Sequence, residues 1–395
     1  MAFSLFDSTG VGIDQQRFTW RELVQNPISK LDDDAFTRVR VILIHGLETE
    51  AVRFGHMAAR FNRELRLPLA KVRRTEQHQA TLANWLIAAD HSPLETTVAY
   101  AQLAVEVGAA IAQREPDPAL AQVYRFGLLE DLDHLYRFAA LLDRLEGKDA
   151  NNILQSYTDI VPGRPTSVQH RAPEDNLREP RNAGAALSSM VHALTIVASQ
   201  YQARDYYMNI GPLFSDPLAR QLYAEIASIK EQHISQYESM LAPATSWIEQ
   251  WLLHEATECY LYYSCMADEG NHHLRALWER FLDYELGHFH MACDALRQVE
   301  RRDPAAIVSS DLAGPLLLRS QREFVRKVRG AEAGLRTDGS RFVTSALENP
   351  RSLAYRSALN AGGSPSDMAA CGYVWMPGTE LNRTGMLVAA GAMAP

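Results

Sequence analysis

Phe281-Leu282-Asp283-Tyr284-Glu285-Leu286-Gly287-His288 is the stretch on which the fold turns, because its Glu-x-x-His spacing returns elsewhere in the chain. Asp131-Leu132-Asp133-His134 lies 154 residues earlier than Glu285-Leu286-Gly287-His288, and Glu76-Gln77-His78 lies 155 residues earlier than Glu231-Gln232-His233. Two anchors at nearly one offset indicate an internal duplication. The duplicated groups are carboxylates and imidazoles at helical spacing, a combination that points to metal.

Outward from these anchors, helical periodicity runs through residues 36–148 with breaks near Asn62-Arg63, His91-Ser92-Pro93 and Glu115-Pro116-Asp117-Pro118. Four more helices fit residues 183–304, broken at Gly211-Pro212 to Asp216-Pro217, at residues 242–246 and at Asp268-Glu269-Gly270-Asn271. Helices of roughly 20 to 28 residues joined by short connections are antiparallel neighbours, the pattern of a four-helix bundle. The expected organisation is therefore an all-α chain: an N-terminal segment 1–35, a bundle 36–148, a Pro-rich linker or strap 149–182, a second bundle 183–304, and a less regular C-terminal extension 305–395. One more helix is expected near residues 315–335. No period is found from Gly362 to Pro395.

Composition narrows the function classes. With 395 residues, 47% hydrophobic, 22% charged and a net charge of −9, the chain is ordinary for a globular protein and has no basic excess for tracking phosphates. Nucleic acid is not an expected partner. No apolar run is long enough to span a membrane and no secretory pattern opens the sequence, so a cytoplasmic protein is expected. Cys259, Cys265, Cys293 and Cys371 have no Cys-x-x-Cys spacing and read as free thiols. Isolated glycines and the absence of a Gly-x-Ser-x-Gly elbow leave nucleotide, flavin and serine-hydrolase chemistry without support.

The metal reading rests on which residues share a helix face. At 3.6 residues per turn, Trp278, Phe281, Glu285, His288 and Ala292 line one face of the last helix. Trp251, Glu255, Glu258, Tyr262 and Cys265 line one face of the helix before it. Ile226, Ile229, His233 and Tyr237 do the same on the second helix, which leaves Glu231 facing outward. His233, Glu255, Glu258, Glu285 and His288 thus form the expected metal set of the second bundle. Burying three carboxylates together requires protons or a cation. Mixed oxygen and nitrogen donors suit iron or manganese, with zinc also admitted. In the first bundle the corresponding weaker set is Glu48, Glu50, Glu76, His78, Asp131 and His134. A single inward Glu or His is more often a satisfied core residue than a ligand, and it is the convergence of five that favours metal. Neutralisation by Arg280 and Lys230, as a buried ion-pair network, is the metal-free alternative.

Glu-x-x-His on the last helix, a carboxylate on the helix before it and His on the second resemble the ferritin-like, rubrerythrin-like di-metal carboxylate superfamily. Glu231-Gln232-His233 and His254-Glu255-Ala256-Thr257-Glu258-Cys259-Tyr260 are similar to poorly characterised bacterial tandem members. The resemblance spans residues 36–304. It implies two tandem ferritin-like four-helix bundles and an oxidoreductase that activates dioxygen or peroxide on a small-molecule substrate. Glu258 is then a shifting carboxylate or base and Tyr262, or Trp251, a redox-active side chain. The full ligand pattern is eroded in both halves. Thr75 and Lys230 stand three residues before the expected histidines, Glu255 aligns with Ala101 and Glu258 with Ala104, and Ser199, Gln200, Tyr201 and Gln202 stand where the first helix of the second bundle should carry Glu. That erosion splits the reading by class: either the missing ligands open positions for substrate, or the chain is a metal-poor ferritin-like scaffold or binding protein. An oligomer is compatible with either class. A closed iron-storage shell is not expected from two fused bundles with a long extension.

Overall fold

The computed structural model describes residues 3–30, 32–87, 90–180, 187–241, 246–309 and 314–377. After the one-turn helix α1 (Trp20–Leu23) come four long helices, α2 (Ala35–Phe61), α3 (Arg66–Leu86), α4 (Pro93–Arg114) and α5 (Pro118–Glu146). The single turn α6 (Asn151–Leu154) leads into the Pro-rich segment. Four more long helices follow: α7 (Leu187–Ile210), α8 (Pro217–Met240), α9 (Trp247–Asp268) and α10 (His272–Ala295). The chain is thus largely α-helical. Among the described residues no helix is long and apolar enough to cross a membrane.

The helix ends lie where their punctuation requires. Ser92 caps α4 in a reciprocal box with Glu95, followed by Pro93. Asp117, Asp216 and Asn271 accept hydrogen bonds from the first turns of α5, α8 and α10, and Gly147 closes α5 in the left-handed conformation.

Each short connection makes an antiparallel hairpin, but the hairpins do not group by sequence half. α2 packs on α3, α3 meets α10, α10 pairs with α9, and α9 returns to α2, closing one ring of four. α7, α8, α5 and α4 close the second ring in the same order, and α2 lies against α7 where the rings abut. This corrects the expectation that residues 36–148 and 183–304 would each enclose their own site. Each half contributes its first hairpin to one ring and its second hairpin to the other. The cause is visible in α2, where every residue from Ala35 to Ile44 is buried. A helix buried all round, its Thr37, Arg38 and Arg40 included, has neighbours on every side, so it occupies the centre of the molecule rather than one corner of a separate bundle.

The segments before each half are also paired. Val11 N donates to Asp283 O (2.7 Å), and Arg164 N donates to Leu129 O (2.8 Å), an equivalent position on α5. Gly10 and Gly163 lie so close to α10 and α5 that a Cβ would fall 2.5 Å from Leu286 Cβ or 2.1 Å from Leu129 O. The Pro-rich stretch is therefore a packed strap, and residues 10–17 form its counterpart.

The extension clasps the second ring. It contains α11 (Arg322–Glu332), a hairpin of β1 (Leu335–Asp338) and β2 (Arg341–Thr344), α12 (Pro350–Leu359) and α13 (Pro365–Ala369). The helix expected over 315–335 is shorter than that. The hairpin, turning at Gly339 with positive φ, was not anticipated although Asp338-Gly339 is a turn signal. Residues 378–395 of the tail lie outside the described residues.

Because neither half closes a ring, the two halves should be interdependent. Produced separately, residues 1–182 and 183–395 are expected to aggregate or remain partly unfolded. Coexpressed, they should copurify as a 1:1 complex with the circular-dichroism melt of a folded protein. A half that alone melts cooperatively as a monomer would contradict the exchanged arrangement.

Candidate metal centre

The α2–α3–α9–α10 ring holds a carboxylate cage. Glu48 from α2, Glu76 from α3, Glu255 and Glu258 from α9, and Glu285 and His288 from α10 are all buried. Ligand atoms of Glu76, Glu255 and His288 lie within 4.8 Å of one another, as do those of Glu255, Glu258 and Glu285. Four of the five metal residues expected for the second bundle are therefore together. Glu48 and Glu76, expected for the first, join them.

The remaining expected ligands lie elsewhere. His233 is in the other ring, with Nε2 2.6 Å from Glu130 Oε2. Asp131 and His134 are there too. Glu50 pairs with His254 Nδ1 at 3.0 Å, and His78 sits half-buried against Phe18 and Trp20. The exchange of hairpins carries His233, Asp131 and His134 into the other ring, and register accounts for His78. An offset of 154 pairs Glu76 with Lys230, Gln79 with His233, Asp131 with Glu285 and His134 with His288, and all eight side chains are buried. The identical Glu-Gln-His triplets, at 155, are one residue out of step, a rotation of about 100° around the helix. Gln79 was missed for that reason; Glu76-x-x-Gln79 was the signal.

A hydrogen-bonded chain runs through the cage. Tyr262 donates its hydroxyl to Glu48 Oε1. Gln79 Nε2 donates to Glu285 Oε1 (2.6 Å) and approaches the Tyr262 hydroxyl at 3.4 Å. His288 Nδ1 faces Glu285 Oε2 at 2.8 Å and Glu255 Oε2 at 3.8 Å. Its Nε2 meets Gln16 Oε1 at 2.9 Å, from the N-terminal strap. The Gln16 amide nitrogen is committed to Val11 O and Tyr284 O, so its oxygen must face His288 and accept from Nε2–H. That bond leaves Nδ1 as the ring nitrogen aimed at two carboxylates, the arrangement of a histidine whose far N–H is held while the near nitrogen binds a cation. Trp251 Nε1 donates to Glu255 Oε1.

What the cage lacks is positive charge. Among the described residues no lysine or arginine pairs with any of the five glutamates. Arg280, considered as a neutralising group, pairs with Glu22 and covers the Phe18 ring. Glu48 Oε2, Glu76 Oε2, Glu255 Oε2, both oxygens of Glu258 and Gln79 Oε1 are buried without a hydrogen-bond partner. Burial, with the neighbouring charge of Glu285, pushes the carboxyls of Glu48, Glu76, Glu255 and Glu258 well above the usual carboxylate range.

The other ring solves the same problem with ion pairs. Lys230, 1% exposed, points inward and donates to Asp131 Oδ1 at 2.5 Å. Arg171 Nη1 donates to Glu130 Oε1 at 2.8 Å. Burial opposes the charges on Glu130 and Asp131, but Arg171 and His233 around the first, and Lys230 with His134 around the second, overcome it. Both carboxyls lie below their usual range. His134 Nε2 meets Gln169 Oε1 at 2.7 Å, matching His288 and Gln16. On α4 the positions equivalent to Glu255 and Glu258 are Ala101 and Ala104, both buried. No family model, curated protein or solved structure matches the chain.

Two measurements follow from this contrast. Carboxyls raised in the fold bind protons more tightly folded than unfolded, so their contribution to stability is present at low pH and is lost as pH rises through the folded values. The metal-free protein should therefore melt progressively lower as pH rises above the ordinary carboxylate range. Divalent metal should restore the melt at the upper end, and Glu258→Gln should flatten the slope. A chelated wild type as stable at the upper end as at the lower would contradict the cage electrostatics. In the second ring, Lys230→Met strands a buried carboxylate and should cost about 3–5 kcal/mol in urea unfolding. Most of that loss should return when Asp131→Asn is added.

Proposed function

We propose that this protein is a metal-dependent oxidoreductase whose working centre is the cage of Glu48, Glu76, Glu255, Glu258, Glu285 and His288. The observation that carries the reading is a set of five buried glutamates, four of them with unpaired oxygens, and no lysine or arginine paired with any of them among the described residues. Leaving several such charges uncompensated costs several kcal/mol each, and a divalent ion among them removes that cost. The donor set of carboxylates and one imidazole suits iron or manganese, with zinc as a redox-inert substitute. Such a bound ion, if redox-active, supplies open coordination positions and electron transfer for activating dioxygen or peroxide.

The chain's own residues fit this task. Gln16 fixes the His288 ring so that Nδ1 faces the centre. Glu258, with neither oxygen committed, is free to turn between ligation and proton acceptance. Tyr262 is an oxidisable phenol whose proton has a waiting acceptor in Glu48 Oε1. Trp251 restrains Glu255. The finer fold reading, two ferritin-like bundles, is part of the same proposal. The four-helix ring around Glu-x-x-His supports it, with the modification that the bundles exchange hairpins. The alternative of a metal-poor scaffold is favoured only in the α4–α5–α7–α8 ring, where Lys230 and Arg171 occupy the place of a cation.

Elemental analysis of the purified protein should find stoichiometric iron or manganese. Glu285→Ala with His288→Ala should abolish binding and any dioxygen or peroxide consumption, whereas Lys230→Ala should leave the bound metal in place. A wild type free of metal, and unchanged in melting temperature by iron, manganese or zinc, would overturn the assignment.

A further inference from the structure

Where the extension clasps the α4–α5–α7–α8 ring it encloses, with the strap and the outer face of α8, a cavity of about 370 Å³. His170 of the strap, Ala224 and Glu225 of α8, and Leu359, Asn360 and Pro365 of the extension line it. His170 is 4% exposed, yet its ring forms no hydrogen bond within the described residues. Its Nε2 stops 3.9 Å from Glu225 Oε1, beyond hydrogen-bond reach. Both groups are fixed from behind. Glu225 Oε2 accepts from Ser366 N at 2.8 Å and Oε1 from Ser366 Oγ at 3.2 Å, while the backbone oxygen of His170 accepts from Arg356 Nη1 at 3.4 Å. Asn360 Nδ2 donates to Ser167 O at 3.1 Å, which ties the extension wall to the strap. We infer that this cavity binds a small organic amine, its ammonium bridging His170 and Glu225 and its apolar body lying against Leu359 and Pro365.

The gap between the two side chains sets the head group. A nitrogen about 2.9 Å from each of two acceptors 3.9 Å apart sees them at an angle of roughly 85°, which two N–H groups of one ammonium can serve. Charge sets the sign. No lysine or arginine lines the cavity and Glu225 does, so carboxylate and phosphate ligands are repelled. A zinc ion would take at least three strong protein ligands, and the lining supplies one imidazole and one carboxylate. The volume sets the size, since it lies at the lower end of ligand pockets.

The site is independent of the carboxylate cage, which lies in the other ring, so it stands or falls alone. Full-length protein stripped with chelator is titrated calorimetrically with butylamine and phenethylamine, and in parallel with butanol and butyrate. One amine per chain is expected, with butanol weaker and butyrate unbound. Glu225→Gln should weaken amine binding at least about tenfold, the loss of one hydrogen bond to a charged group. Ala224→Trp, at an exposed position of α8, should fill the cavity and abolish binding while the circular-dichroism melt stays unchanged, and it decides the matter if Glu225→Gln fails to fold. No heat from either amine, amine binding untouched by both substitutions, or butyrate bound as tightly as butylamine would overturn the assignment. Zinc bound by the Glu285→Ala, His288→Ala protein and lost on adding His170→Gln would overturn it in favour of a metal site.

Discussion

Uncompensated negative charge inside the α2–α3–α9–α10 ring is the constraint on which the rest of this structure depends. Glu48, Glu76, Glu255, Glu258 and Glu285 come from four different helices, so no local change relieves their repulsion. Each helix would gain by turning its glutamate outward, but the same faces carry Trp251, Tyr262, Trp278 and Phe281, whose burial holds the helices in register. Apolar packing thus enforces an electrostatic arrangement that is unfavourable by itself. The unpaired oxygens and the His288 nitrogen turned toward Glu255 and Glu285 are the features on which the proposed cation site rests.

The second ring acts as an internal control. It has the same helix order, the same strap and the same glutamine-held histidine, yet its charges cancel within the protein. Lys230 replaces a carboxylate by an ammonium, and Arg171 is delivered from the strap to Glu130. Lys230 at the position of Glu76, Arg171 from the strap, and Ala101 and Ala104 in place of Glu255 and Glu258 leave this ring with a core whose charges pair internally. The comparison also assigns the straps a role. Gln16 and Gln169 reach equivalent histidines from equivalent backbone contacts, so orienting these rings is a property of the scaffold and not an accident of one site.

Much of the helical layout was legible, because proline, glycine and capping side chains punctuate the chain locally. Ser92-Pro93 and Asp216-Pro217 begin helices wherever they are read. Glu255, Glu258, Glu285 and His288 were legible as inward groups from periodicity alone. The register of α3 was not, since an identical Glu-Gln-His triplet outweighed the less similar but correctly phased Glu76-x-x-Gln79. Hairpin pairing was not legible either. Any two amphipathic hairpins of similar length satisfy the same pattern, and the choice is made by α2, whose all-round burial emerges only in three dimensions. Gln16 lay in a segment without periodicity, where a sequence offers no face to inspect.

Exchange of hairpins resolves why both halves looked eroded. Read along the chain, each half carries an incomplete ligand set: carboxylates on α2 and α3 but alanines on α4, then glutamine and lysine on α7 and α8 but a full complement on α9 and α10. Read through space, the retained carboxylates of the first half face those of the second, and the losses face one another. Each ring draws one hairpin from each half. Ala101, Ala104 and Lys230 line only the α4–α5–α7–α8 ring, so the α2–α3–α9–α10 cage has carboxylates from all four of its helices.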